Sequence, residues 1–536
     1  MRDGVRLSAN VFRPAAPGRV PAILCRTPYG KGAAINANWQ AFVDRGYAVV
    51  VQDVRGRFES EGAFRPLEQE TLDGDDTINW MARQPWSDGK VGMTGGSYLG
   101  IVQWKAALAN NPHLKAIFPW VSGYDDYRDR FYSTGGAVKL GQRLLWMSEN
   151  LSDRGYHPDF NRYIWHLPLR TADVAATGSV SEMYQAALRH PAYDAFWHRI
   201  STREHLDRVT VPVFSVGGWY DNFVQSDLEA MQVLRKRSGV HRIVVGPWAH
   251  DMKYHFPDVD LGQGAAVPLR SLQMEWFDQW LKGKDTAVLS TPPVRVFVMG
   301  ANRWREDNEW PPARVRFTPF YMESRGHANT LRGDGSLGPK PARRDAPDRF
   351  VYDPLKPVPT HGGAACCNPK IFPWGPLDQR GVEARRDVLV YTSKALHRDL
   401  EVTGPVRVVL YASTNARDTD FTAKLVDVYP DGQARNLTDG ILRLRYRESI
   451  EKPTLARPGE IYKLTLDVGV TSNLFRKGHR VRVEISSSNF PRFDRNPNTG
   501  GAIADETRLI PARQTVYHDR RHPSCLVLMV IPAGRG

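Results

Sequence analysis

A serine set among glycines at the end of an apolar run is the first place in this chain where chemistry could be done. Gly95-Gly96-Ser97-Tyr98-Leu99-Gly100 follows a β-rich segment, residues 90–94, and opens a helical pattern, residues 99–109. Small residues let a strand turn abruptly into a helix, and the turn pushes the serine hydroxyl outward. The helix N-terminus beneath it favours developing negative charge. The strict pattern G-x-S-x-G is not met, because Leu99 stands where the last glycine would and Gly100 follows it.

A serine hydroxyl is a weak nucleophile at its ordinary pKa. It needs a base, and the base needs a carboxylate to orient it. Two later apolar runs each end in a candidate. Residues 211–216 lead into Gly217-Gly218-Trp219-Tyr220-Asp221-Asn222, and residues 242–245 into Gly246-Pro247-Trp248-Ala249-His250-Asp251. Ser97, Asp221 and His250 then occur in the chain order of the α/β-hydrolase triad, each just beyond a strand, where α/β sheets place their sites. Competitors fit less well. Asp251 would have to reach around its own backbone to the His250 ring, and His241 and His255 lack the strand-end position. Asp73, Asp75 and Asp76 read as first-turn acids of a helix. Asp53 and Arg55 read as an ion pair or turn.

These residues need a sheet to hold them. Strand-like runs at 20–24, 47–52, 90–94 and 115–120 alternate with helical patterns at 41–43, 77–82 and 99–109. That alternation predicts βαβ units and a largely parallel sheet. From 126 to 205 the strand signal disappears. An amphipathic segment at 138–150, with Leu140, Leu144, Leu145 and Trp146 apolar, and another at 181–190 predict a helical cap. The sheet pattern resumes with strands at 211–216, 242–245 and 294–299 and helices at 226–236 and 271–281. Beyond 315 helices vanish, and short alternating strands separated by Gly, Pro, Asn and Asp predict a jelly-roll β-sandwich. The fold class is therefore α/β. A first part of the sheet domain spans 1–125, a cap 126–205, the second part of the sheet domain 206–314 and the sandwich 315–536.

Composition narrows the function classes. The 536 residues are 41% apolar and 24% charged, which fits a globular chain. No run approaches the about 18 apolar residues a membrane helix needs. The formal charge of +14 comes from 72 basic and 58 acidic residues, but the basic ones are scattered, the densest cluster being Arg235-Lys236-Arg237. Neither a nucleic acid nor a membrane is expected as partner. Four cysteines, none at metal-binding spacing, imply no disulfide framework and no metal, and no cofactor motif is present. Cys366 and Cys367 are expected as two reduced thiols in the sandwich. The segment after Met1, Arg2-Asp3-Gly4-Val5-Arg6-Leu7, reads as strand rather than signal peptide, so a cytoplasmic location is expected, with a native start upstream of Met1 left open.

Ser97-Tyr98-x-Gly100, Gly218-Trp219-Tyr220-Asp221 and Gly246-Pro247-Trp248-x-His250 together resemble the CocE/NonD hydrolases of the X-Pro dipeptidyl-peptidase (S15) superfamily. Further similar pieces are Arg26-Thr27-Pro28-Tyr29, Asp53-x-Arg55-Gly56 with Ser60 and Gly62, and Ser488-Asn489-Phe490-Pro491-Arg492. The resemblance implies a split α/β-hydrolase domain, a helical cap and a C-terminal jelly roll, with Ser97, Asp221 and His250 as catalytic triad. It also implies an oxyanion hole made by the Tyr29 hydroxyl and the Tyr98 amide, and an acyl pocket lined by Phe131, Trp146 and Phe223 with help from Trp120. Phe131 stands where the cocaine esterase-like pattern has Trp, which changes the pocket width. In the α-amino-acid ester hydrolases of this superfamily, acidic residues close behind the catalytic Asp bind the substrate ammonium. Here Asn222-Phe223-Val224-Gln225 follows Asp221, so a plain carboxylic ester is favoured.

The expected partner is thus a small-molecule ester, cleaved by a serine hydrolase through an acyl-enzyme. Two alternatives stay open: the same site acting on amides, as an acylase or X-Pro dipeptidyl-peptidase, and a non-catalytic binding protein on a hydrolase scaffold. Assembly into a homo-oligomer is left open by the sequence.

Overall fold

A computed structural model describes residues 1–152, 155–236, 240–342 and 346–532; Arg237 of the basic cluster lies outside the described residues. Nine strands form the first sheet: β1 (Ala9–Phe12), β2 (Val20–Thr27), β3 (Ala48–Asp53), β4 (Ser87–Gly96), β5 (Leu114–Trp120), β6 (Val213–Tyr220), β7 (His241–Ala249), β8 (Val294–Val298) and β9 (Arg303–Asp307). Their spatial order is β1-β3-β2-β4-β5-β6-β7-β8-β9. Strands β2 to β8 pair in parallel, and β1 and β9 close the edges antiparallel.

The near-continuous apolar strands follow from burial of both faces. Along β2, Leu24 enters one core cluster and Ile23 the other. Along β3, Val50 opposes Val49 and Val51, and along β5, Ile117 opposes Ala116 and Phe118. Helices α1 (Ala37–Asp44), α2 (Glu70–Ala82) and α3 (Tyr98–Ala107) connect the first strands. Between β5 and β6 the chain leaves the sheet for α4 (Leu140–Leu151), α5 (Phe160–Tyr163), α6 (Ala172–Thr177), α7 (Glu182–Arg189) and α8 (Ala195–Ile200). Helices α9 (Val224–Arg235) and α10 (Leu269–Lys282) follow β6 and β7.

Among the described residues from Arg316 to Ile531, eleven strands pair in a second, sandwich-forming sheet. Its longest strand, Leu400–Thr414, is bulged at Val406/Arg407. It pairs with Tyr462–Phe475 on one side and with Cys525–Ile531 and Ala512–Tyr517 on the other. A bulge strengthens the local bend, which lets one strand serve several partners. This region holds the sandwich expected from its turn-rich sequence, but also one short helix, Arg380–Glu383, that the strand pattern hid. The sandwich also holds the cap. Pro491 O accepts the Gly141 amide at 2.8 Å, and Asp494 accepts the Val138 amide at 2.7 Å just before α4.

One strand carries no signal in the sequence, and one ion-pair reading gives way to its alternative. Strand β9, Arg303-Trp304-Arg305-Glu306-Asp307, carries no alternating apolar signal because it is an edge strand, and charge there discourages pairing with other chains. Asp53 and Arg55 do not pair, and of the two readings, ion pair or turn, the turn holds, with Arg55 in a turn just after β3. Arg55 binds Asp73 at 2.5 Å and Asp3 at 2.7 Å, while Asp53 accepts the Lys31 amide at 2.6 Å. Among the described residues no helix is long and apolar enough to cross a membrane, and no group of three or more His, Cys, Asp or Glu could hold a metal ion.

Candidate active site

Strand β4 ends at Gly96, and the chain enters α3 through Ser97 with φ 54° and ψ −125°. An L-residue occupies such a backbone only at a cost on the order of 1–3 kcal/mol, supplied by the surrounding structure. Two glycines make the turn fit. Gly95 has φ 150°, and a Cβ on it would lie 2.3 Å from that of Leu99, the residue that replaces the last motif glycine. A Cβ on Gly96 would lie 2.2 Å from Trp120 Nε1.

Asp221 comes directly after β6 and is fully buried. One of its oxygens accepts the Phe223 amide at 3.0 Å, and the other lies 2.6 Å from His250 Nδ1. His250 comes directly after β7, with its side chain 13% exposed, and its Nε2 lies 3.1 Å from Ser97 Oγ. A carboxylate at Nδ1 keeps the proton there and leaves Nε2 to accept one from the serine. Behind Phe223, burial together with the Asp221 and Asp129 charges raises the Asp227 carboxyl well above the usual range.

Tyr98 and Tyr29 line the same cavity as Ser97. The Tyr98 amide is the first N–H of α3, and such groups have no intrahelical partner. The Tyr98 side chain is tied down from behind: its hydroxyl donates to Glu70 at 2.8 Å, and Glu70 pairs with Arg26 at 2.6 Å. Burial pushes that phenol far above its ordinary pKa. Tyr29 follows β2. Its residue is 37% exposed, yet its hydroxyl faces inward and accepts a hydrogen bond from Trp146 Nε1 at 3.1 Å. Burial of that end raises the Tyr29 phenol as well, so it keeps its proton at neutral pH.

Ser97, Tyr29 and Tyr98 open onto a cavity of about 560 Å³, its mouth included, that Phe131, Trp146 and Phe223 also line. Trp146 stacks on Tyr98 with ring centroids 6.3 Å apart, and Phe223 lies 5.7 Å from the His250 ring. Trp120 does not join them. Side chains alternate along β5, so Trp120 shares a face with Phe118, which stacks on Phe214 at 4.8 Å in the opposite core. Trp120 borders a separate cavity with Trp39 and Leu269.

Other lining residues escaped the sequence reading. Arg143 sits one turn before Trp146 on α4, a spacing that puts both on one helix face and could have marked it. Cys366 and Cys367 also line the cavity. They were expected as free thiols, but adjacency brings their sulfurs within bonding reach, and the structure joins them in a disulfide. Nothing local in the sequence placed that loop of the sandwich beside Ser97.

The profile of the X-Pro dipeptidyl-peptidase (S15 family) matches residues 3–251, and that of the X-Pro dipeptidyl-peptidase C-terminal non-catalytic domain matches residues 286–527. Cocaine esterase of Rhodococcus sp. (strain MB1 Bresler) is 40% identical to this chain, over 99% of it and 97% of that protein. An α-amino acid ester hydrolase has a similar structure, with TM-score 0.84 and 28% identity, over 99% of this chain and 95% of that one. So does an aminopeptidase from a marine sediment Thaumarchaeota archaeon, with TM-score 0.84 and 27% identity over the same shares.

Proposed function

Since the chain belongs to the X-Pro dipeptidyl-peptidase (S15) family of serine hydrolases, we propose that it cleaves carboxylic esters through an acyl-enzyme formed on Ser97. The observation that carries this reading is the continuous chain Asp221–His250–Ser97, with contacts of 2.6 and 3.1 Å, ending in an apolar cavity.

His250 Nε2 takes the Ser97 proton as Oγ attacks the ester carbonyl, and Asp221 holds the imidazole and stabilises the imidazolium that forms. The tetrahedral oxyanion is met by the Tyr98 amide and the Tyr29 hydroxyl. Because Trp146 donates to the Tyr29 oxygen, the phenolic hydrogen is left to point at the reacting centre. His250 returns the proton to the leaving alcohol, and a water activated by the same imidazole releases the acid. Phe131, Trp146 and Phe223 hold the apolar part of the acyl group.

An ester is favoured over an N-terminal peptide because no described residue lining the cavity is acidic, so nothing there would hold a substrate ammonium. The test is an ester and an amide of one acyl group, assayed side by side. The reading expects turnover of the ester, abolished in Ser97→Ala. Turnover of the amide alone would transfer the site to the acylase or peptidase class.

A further inference from the structure

Several buried arginines in this protein carry carboxylate partners. Arg26 binds Glu70 at 2.6 Å, Arg443 binds Asp420 and Asp494 at 2.9 and 2.8 Å, Arg482 binds Glu383 at 2.6 Å and Arg492 binds Asp439 at 2.5 Å. Arg143, half-buried on the wall of the Ser97 cavity, has none, as is also true of Arg242, Arg435 and Arg495, but of these four only Arg143 borders the cavity that holds Ser97. Its guanidinium lies over two cavity aromatics, with Cζ 4.5 Å from the Phe131 ring centroid and 5.5 Å from that of Trp146. Nε and one Nη both donate to a single acceptor, the backbone oxygen of Arg130, at 3.1 and 2.8 Å. That leaves guanidinium N–H groups unspent, and among the described residues no carboxylate comes within ion-pair distance of it.

The nearest charge that acts strongly on Arg143 has the same sign. Burial and Arg130 lower its pKa to about 10, so it stays cationic at neutral pH in a place that disfavours the cation. Arg130, itself in the cavity wall, has Asp126 at 3.1 Å and Asp129 at 3.7 Å and is not available as a free cation. Contact with aromatic faces holds a guanidinium in place without neutralising it. A planar fork held against aromatic rings, without a counter-ion and opening on the cavity beside Ser97, is suited to receive a carboxylate there.

We propose that Arg143 is a substrate-binding residue and that the acyl group accepted in this cavity carries a carboxylate: the preferred substrates are half-esters of dicarboxylic acids. This rests on the ester reading above and adds the charge of the acyl chain to it. Hydrolysis then releases a dicarboxylate and an alcohol, and the guanidinium pairs with the carboxylate that does not react.

The test compares monoethyl adipate with ethyl hexanoate, which share the alcohol and the acyl chain length, by chromatography of the acid released. In the wild type kcat/KM should favour the half-ester roughly tenfold or more, the scale of one charge-assisted hydrogen bond. In Arg143→Gln the ratio should fall to near one, and Arg143→Lys should retain part of it. Raising the salt concentration should change the ratio little, since the pair is buried. Turnover of both esters at equal efficiency in the wild type would overturn the proposal and leave the ester reading intact. A half-ester preference that survives in Arg143→Gln would also overturn it. Turnover of neither ester would overturn both. The wild-type ratio alone decides the question if the variants fail to fold.

Discussion

Trp146 Nε1 donates to the Tyr29 hydroxyl at 3.1 Å, joining a cap helix to the loop after β2 across 117 residues of chain. The bond occupies a lone pair of the phenol and leaves its hydrogen for another acceptor. Trp146 therefore does two things at once: its ring stacks on Tyr98, and its N–H aims the Tyr29 hydroxyl. Through this contact a cap helix touches a wall of the Ser97 cavity, and the sandwich supports it because Pro491 and Asp494 anchor the start of α4.

If Tyr29 binds the oxyanion, Tyr29→Phe should lower kcat by about 10²–10³ while KM changes little, because the donor acts mainly in the transition state. Trp146→Phe keeps an aromatic ring but loses the aiming hydrogen bond, and should lower kcat by a few-fold, about the worth of one neutral bond. A Tyr29→Phe enzyme with wild-type kcat would remove Tyr29 from the site.

Residues of a triad act as a unit. Ser97→Ala and His250→Ala should each lower kcat by roughly 10⁶, and the double variant by little more. Asp221→Asn should cost about 10⁴, since the amide favours the wrong imidazole tautomer. Near-full activity in Asp221→Asn would mean that another carboxylate orients His250.

An α-amino group on the acyl part should bring no gain. The cavity wall carries Arg130 and Arg143 and, among the described residues, no acid. Ethyl phenylglycinate should therefore be no better than ethyl phenylacetate in kcat/KM. A preference of about tenfold for the amino ester, about 1.4 kcal/mol, would contradict the charge assigned to this cavity.

His241, at the start of β7, gives a pH test away from the chemistry. Burial, helped by the Arg235 charge, lowers its pKa from 6.5 to about 4. Between those values the unfolded chain binds a proton that the folded chain does not, so its stabilising contribution is lost as pH falls from 6.5 towards 4. The shift corresponds to at most about 3 kcal/mol. In His241→Gln the drop in melting temperature between pH 7 and pH 4.5 should be smaller than in the wild type. Equal drops would show that His241 does not contribute to acid sensitivity.

Much of this arrangement is legible in the sequence because it depends on local signals. Strand-to-helix turns at Gly95-Gly96-Ser97, and strand ends at Asp221 and His250, are set by apolar runs and the residues that stop them. Trp120 could have been excluded by the same logic, since it is two residues from Phe118 and must share its face. Arg143 was within reach too, three residues before Trp146 on an amphipathic helix. What could not be read depends on distant segments meeting. The Trp146–Tyr29 bond, the Glu70 anchor under Tyr98 and the Cys366–Cys367 wall join parts of the chain that no periodicity relates. Strand β9 was hidden for another reason, since charges that suit a sheet edge erase the alternation that marks a strand.

The central claim is that ester turnover passes through Ser97. The most direct test is a titration with a fluorophosphonate, following residual ester hydrolysis against the fraction of Ser97 modified, read by peptide mass spectrometry. The account predicts a straight line that reaches zero activity when Ser97 is fully labelled, at one reagent per chain. Activity that persists with Ser97 fully modified, or that vanishes while the label sits on another residue, would contradict it.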